Sequence, residues 1–125
     1  MKILILSDAN SVHTYRWAKS ISIKGNKVTL FSLSASKNKF VPSYEELGID
    51  VHSFKLHYFV FNKFKRNITK LFYFLALRDL KKIITNIKPD IIHAHYLTSY
   101  GIIAYLCKFK PYYISVWGDD IFFTS

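Results

Sequence analysis

The chain reads as an α/β domain, an open and mostly parallel sheet with helices on both faces. Three apolar runs, Lys2–Ser7, Pro89–His95 and Tyr112–Asp120, carry that expectation. Each stops abruptly at residues capable of polar chemistry: Ser7-Asp8-Ala9-Asn10, His93-Ala94-His95-Tyr96 and Trp117-Gly118-Asp119-Asp120. Short apolar runs of this kind read as strands buried on both faces. Segments with helical spacing lie between them, and such alternation winds a parallel sheet through right-handed crossovers. In open α/β sheets, ligands bind in the crevice at the carboxyl ends of the strands. The polar ends therefore say where the chemistry sits.

Lys2–Ser7 is the first strand. Ser11–Lys24 follows with apolar residues at Val12, Tyr15, Ala18 or Trp17, Ile21 and Ile23, near helical spacing, and Gly25-Asn26 stops that helix. Lys27–Leu33 is a second strand, and Ser34–Asn38 is a polar loop. Leu47-Gly48-Ile49-Asp50 turns into a short third strand, Val51–Phe54, whose alternation places it at an edge. From Phe64 on, Phe64, Ile68, Leu71, Phe72, Leu75, Leu80, Ile83, Ile84 and Ile87 share one helical face, with Lys70, Arg78, Lys81 and Lys82 largely on the other. Pro89 ends this longest helix. Asp90–His93 is a fourth strand, Thr98–Lys108 an apolar helix and Tyr112–Val116 a fifth strand. The carboxyl ends of strands one, four and five are expected side by side. The chain stops nine residues after Val116, too few for a covering helix, so it is expected to be a piece of a longer protein.

A chain of 125 residues is one domain with one ordinary core. Half of it is hydrophobic, which excludes disorder. The formal net charge of +10 implies an anionic partner such as lipid headgroups, nucleic acid or phosphorylated small molecules. One cysteine, Cys107, excludes an internal disulfide and a cysteine zinc cage; it fits plain packing in a reducing, cytoplasmic compartment. The apolar stretch Ile3–Leu6 is shorter than the roughly 7–15 residues of a signal-peptide core. The richest apolar window, Leu71–Leu77, is far short of the roughly 20 residues of a membrane span. Asn67-Ile68-Thr69 matches a glycosylation acceptor by spelling alone.

After strand one, a dinucleotide-binding fold would place a glycine-rich turn, but Asp8-Ala9-Asn10-Ser11-Val12-His13 has no glycine. A nicotinamide or flavin cofactor is not expected. Two readings stand for this segment: Asn10 or Ser11 caps the helix, or Asp8, Asn10 and His13 also touch a ligand at its amino terminus. His93 and His95 share a strand face, yet no third ligand has motif-like spacing, so no metal is expected. His93 reads as a satisfied strand residue. His95 reads as lying past the strand end, where it can exchange protons near neutral pH. Trp117 offers a stacking platform for sugar rings, and Asp119 and Asp120 accept hydroxyl hydrogen bonds; paired carboxylates also suit magnesium and phosphoryl transfer. Tyr58–Lys82 interleaves cations, among them Lys63, Lys65, Arg66 and Lys70, with aromatic residues. That helix either packs on the sheet with solvated lysines or also lies on an anionic membrane. Nucleic acid is not expected, because the aromatics follow a helical core pattern.

The run Lys88-Pro89-Asp90-Ile91-Ile92-His93-Ala94-His95-Tyr96, then Gly101, then Val116-Trp117-Gly118-Asp119-Asp120-Ile121, resembles the amino-terminal domain of glycosyltransferase family 4, of the GT-B fold. Met1-Lys2-Ile3-Leu4-Ile5, Arg16-Trp17-Ala18 and Lys24-Gly25-Asn26-Lys27-Val28 resemble it too, so the similarity spans essentially the whole chain. The resemblance implies a Rossmann-like, acceptor-side domain over residues 1–125. It also implies a missing carboxyl-terminal domain that holds a nucleotide-sugar donor and carries paired glutamates. Transfer would retain anomeric configuration without a metal, and this domain would not be competent alone. The acceptor would be a sugar or lipid-linked glycan at the inner face of the cell membrane. Asp120 keeps the family's acidic position and His95 is the nearest substitute for a family histidine, since Trp117 stands where that histidine is usual. Tyr96, Trp117, Gly118 and Asp119 would join Asp8, Asn10 and His13 on the acceptor. The runner-up is a non-catalytic, flavodoxin-like module holding a membrane or phosphorylated ligand by its basic face.

Overall fold

The computed structural model describes residues 1–33, 41–54, 68–95 and 100–115, with backbone alone at 41 and 68–73. The strands are β1 (Lys2–Leu6), β2 (Lys27–Ser32), β3 (Asp50–Ser53), β4 (Ile91–His95) and β5 (Tyr112–Ser115). The helices are α1 (Val12–Ile23), α2 (Val41–Glu46), α3 (Ile68–Ile87) and α4 (Gly101–Leu106). The sheet order is β3-β2-β1-β4-β5 and every pairing is parallel. β3 is an edge strand as expected, and the carboxyl ends of β1, β4 and β5 stand side by side.

Two apolar layers cover the sheet. On one face, Leu4, Leu6, Phe31, Ile92 and Ala94 pack with Ala76 and Leu80 of α3 and Ile103 and Ala104 of α4. On the other, Ile5, Val28 and Leu30 pack with Ala18 of α1, Tyr44 of α2 and Ile49. Leu4, Ile5 and Leu6 are all fully buried, because successive side chains of β1 point to opposite, covered faces. Full burial of each such side chain contributes roughly 1.5–3 kcal/mol. Cys107 is buried, its thiol donates to the Ala104 carbonyl at 3.0 Å, and burial raises its pKa. These are the properties of a packing residue.

Several boundaries differ from the sequence reading. The stripe that α1 buries runs through Thr14 and Ala18, with Tyr15 and Ile21 beside them, while Val12 and Ile23 face solvent. α2, only six residues long, lacks the two turns over which a period becomes visible. The Ser34–Asn38 loop, Phe64 and Val116 lie outside the described residues. On α3, Leu80 is buried and Arg78, Lys81 and Lys82 are exposed, as expected, and Ala76 and Leu77 join the core face without having been expected there. β4 runs two residues further than Asp90–His93 and takes in His95.

The opposite edge of the sheet is tied at Asp90. Its backbone N–H donates to the Lys2 carbonyl at 2.8 Å and its carboxylate accepts the Lys2 N–H at 2.7 Å. Gly25 ends α1 with φ +91°, and its N–H donates to the Ser22 carbonyl at 3.0 Å. A Cβ there would meet nothing within 4 Å, so only backbone strain opposes it. Gly25→Ala is expected to cost about 1–2 kcal/mol, read as a lowered denaturation midpoint with an unchanged m-value.

Candidate functional site

The crevice at the carboxyl edge begins with the turn that leaves β1. Without glycine, it is shaped by side chains. The Asp8 carboxylate accepts the Asn10 N–H at 2.9 Å, and the Asp8 carbonyl accepts the Ser11 N–H at 3.1 Å. Ser32 Oγ, from the end of β2, accepts the Ala9 N–H at 3.1 Å. The Tyr44 hydroxyl donates to the Ala9 carbonyl at 3.1 Å, and the Ser7 and Thr14 hydroxyls meet at 2.6 Å. Burial first, then the Asp8 carboxylate, hold the Tyr44 phenol far above its ordinary pKa, so it stays a donor. Ser11 occupies the N-cap position of α1 with no side-chain cap hydrogen bond. The expected cap is thus corrected for Ser11: its neighbour Asp8 orders the turn. Asp8 and Asn10 are half-buried at the crevice edge and His13 is exposed on the first turn of α1.

The second wall is β4. His93 and His95 point to the α1 face, opposite Ile92 and Ala94. Their rings meet edge-on at 4.7 Å between centroids. His93 Nε2 lies 2.6 Å from Ser115 Oγ on β5. Trp17 of α1 stands edge-on to both, at 5.8 Å from His93 and 6.1 Å from His95. Each such aromatic pair is worth about 0.5–1.5 kcal/mol beyond its buried area.

This corrects the place given to His95. It lies within β4 at 1% exposure, not past the strand end. Its pKa falls to about 4, chiefly through burial and then through His93; burial lowers that of His93 as well. At neutral pH the pair is uncharged, and His95 has the surroundings of a packed residue.

Tyr96, Trp117, Gly118, Asp119 and Asp120 lie outside the described residues, as do Lys63, Lys65 and Arg66; the side chain of Lys70 does too. The structure therefore brings together Asp8, Asn10 and the His93–His95 pair with strand ends β1, β4 and β5. Sequence reasoning passed over Tyr44, Ser32 and Ser115 as site-shaping residues. It saw Trp17 as one of two choices for a helix stripe and as part of the Arg16-Trp17-Ala18 resemblance, with no place at the site. Its exposed position beside the stripe was the available signal. Among the described residues, no three His, Cys, Asp or Glu gather as a metal site. No helix among them is long and apolar enough to cross a membrane.

An all-parallel five-stranded sheet with helices on both faces defines a Rossmann-like α/β domain, the class found in the amino-terminal region of GT-B glycosyltransferases. More particularly, the chain belongs to the glycosyl transferase 4-like family, whose profile matches residues 2–125. Similar folds occur in two structures of the carboxyl-terminal domain of a hydrogenase from Pyrococcus furiosus. Both have a TM-score of 0.68, at 14% and 15% identity, covering 93% and 92% of this chain and 90% and 91% of theirs. MurG from Acinetobacter baumannii is also similar, with TM-score 0.61 and 12% identity over 90% of this chain. This chain spans about a third of MurG, 34% of its length. No match is found among curated proteins.

The buried histidines predict a pH dependence of stability. A His whose folded pKa is depressed stays neutral in the fold but takes up a proton when unfolded, so stability is complete above about pH 6.5 and is lost as pH falls toward 4. For His95 the full loss is on the order of 3 kcal/mol. Urea unfolding at neutral and mildly acidic pH is expected to show it, and His95→Leu to flatten the slope.

Proposed function

We propose that this chain is the acceptor-binding, amino-terminal domain of a retaining glycosyltransferase. The enzyme transfers a sugar from a nucleotide-sugar donor to a glycan or lipid-linked acceptor. The observation that carries this reading is the family match over residues 2–125 on a parallel sheet in which the carboxyl ends of β1, β4 and β5 stand side by side. In the reaction, the bond from the anomeric carbon to the nucleotide phosphate breaks. A glycosidic bond to an acceptor hydroxyl forms, and the hydroxyl proton leaves with the nucleoside diphosphate.

Asp8 and Asn10, held by the ordered turn, accept and donate hydrogen bonds to acceptor hydroxyls, with His13 beside them. By the family resemblance, Tyr96, Trp117, Gly118 and Asp119 also contact the acceptor and Asp120 acts at the reacting hydroxyl. His95 supports this wall from within the strand, through His93 and Trp17. The donor belongs to a carboxyl-terminal domain, so this domain alone is inactive. No metal or cofactor enters the reading. The enzyme works in the cytoplasm, at the inner face of the cell membrane, where polysaccharide and lipid-linked glycans of the cell envelope are built.

The test is transfer from labelled nucleotide sugars to lipid-linked glycans. It compares this domain alone with the same domain joined to a GT-B donor domain. Transfer is expected only from the joined protein, with anomeric configuration retained by NMR. Asp8→Ala and Asp120→Ala are each expected to slow it by roughly tenfold or more. Unchanged rates in both variants, or an inverted product, would sink the reading.

A further inference from the structure

The amino edge of the sheet, opposite the crevice, holds a feature that strand pairing does not require. Lys2 opens β1, Lys27 opens β2, and the two are partners in the parallel register. Such partners stand about 4.8 Å apart and send their side chains to the same face. Two ammonium groups are thus set side by side, which opposes the pairing of the strands. Neither lysine side chain has an ion-pair partner among the described residues. Asp90, close by, directs its carboxylate to the Lys2 N–H. The face that the lysines share is the one covered by α3, and a cavity of about 160 Å³ lies there, lined by Lys2, Ile3, Lys27, Thr29, Asn86 and Ile87. One water needs about 10–15 Å³ of such space, so the cavity has room for a polyatomic guest. Thr29 stands two residues on from Lys27, on the same side of β2, and is 3% exposed. Its hydroxyl has no hydrogen-bond partner among the described residues. A buried hydroxyl in that state is unfavourable, and this one borders a space that a hydrogen-bonding guest can fill.

We propose that this cavity binds a phosphate group, free or as the phosphoryl end of a small molecule. Lys2 and Lys27 supply the charge, the Thr29 hydroxyl donates from the floor, and the amide of the exposed Asn86 donates from the rim. The lining selects the class of guest. Two cations, a hydroxyl and an amide meet there with no carboxylate among them, so a metal cation is repelled and an uncharged sugar leaves both ammonium groups unmatched. The carboxyl end of α3 brings roughly half a negative charge to Asn86 and Ile87. Set against that and against Asp90, the two ammonium groups still leave the cavity positive. A phosphate ester carries about −1.5 to −2 charges at pH 7 and has several strong acceptor oxygens, enough for all four donors. Once bound, it ties α3 to the first residues of β1 and β2 at the edge far from the crevice. The level of the anion then adjusts the stability of the domain without occupying the acceptor wall. The inference stands on this cavity and needs nothing from the transferase reading.

The experiment is amide NMR of the full chain titrated with inorganic phosphate, with ionic strength held constant by sodium chloride. Saturable shifts are expected at Lys2, Lys27, Thr29 and Asn86, and none from chloride alone. Lys2→Gln and Lys27→Gln are each expected to weaken binding about tenfold, and Lys27→Arg to keep it within about twofold. Thr29→Val is expected to weaken it severalfold. Circular dichroism with thermal melting checks that the variants fold; should Thr29→Val not fold, the lysine variants, which change exposed residues, decide. Glycerol phosphate and uridine diphosphate are titrated alongside. Tighter binding of either at the same four amides assigns the phosphoryl end of that kind of molecule, and weaker binding of both assigns the free ion. Shifts that fail to saturate, that centre on the turn at residues 8–13, or that persist undiminished in both glutamine variants would overturn the proposal. So would a single-stranded oligonucleotide that binds these amides more tightly than all three small molecules.

Discussion

Everything in this domain depends on β1 being paired on both sides. Five of its residues pair with β2 on one flank and four with β4 on the other, in parallel register from Lys2↔Lys27 to Leu6↔Phe31 and from Ile3↔Ile91 to Leu6↔Ala94. A strand so placed must be apolar on both faces, and Leu4, Ile5 and Leu6 are. It also forces the winding to reverse: the chain leaves β1 toward β2 and β3, then returns to lay β4 on the other flank. Right-handed crossovers in opposite directions put α1 and α2 on one face and α3 and α4 on the other. The winding therefore reverses between β1 and β4, the place where an open α/β sheet binds its ligands.

That place needs a rigid turn, and the chain builds one without glycine. A glycine-rich turn lets a phosphate approach the backbone closely. Here Ser32, Tyr44 and Asp8 instead hold the backbone of residues 8–11 through their own hydrogen bonds. The turn is consequently ordered by side chains of β2, α2 and the turn itself. The same exchange explains the burial of Tyr44, whose ring packs edge-on to Tyr15 at 5.4 Å while its hydroxyl reaches the turn.

The sheet was legible because buried parallel strands are written as apolar runs bounded by polar residues, as β1, β2 and β4 are; β5 is written alike but is the second edge strand, half-buried with Tyr113 exposed, which corrects its expected burial on both faces. β3 was legible through alternation, the mark of an edge. What escaped was decided by tertiary contacts. The α1 stripe slid because a threonine, Thr14, is buried against Ser7 whereas Val12 is not, and hydrophobicity alone ranks them the other way. His95 escaped because the end of a strand is set by its neighbour: Ser115 of β5 pairs with it and extends β4 past the apolar run. Trp17 was visible as a residue but not as a lid over two histidines, since that needs the crossing of α1 over β4. Asp8 and Asn10 stand just past the first strand, a position legible because they follow its apolar run directly.

The double tie between Asp90 and Lys2 sits at the edge of the sheet opposite the crevice. It sets the register of β4 on β1 at the point where the strand begins. Residues at the far edge are thereby relieved of that duty. A lineage can exchange the turn after β1, or the residues following β4 and β5, and keep the same strand alignment. Diversification of what the crevice recognises can thus proceed without renegotiating the architecture beneath it.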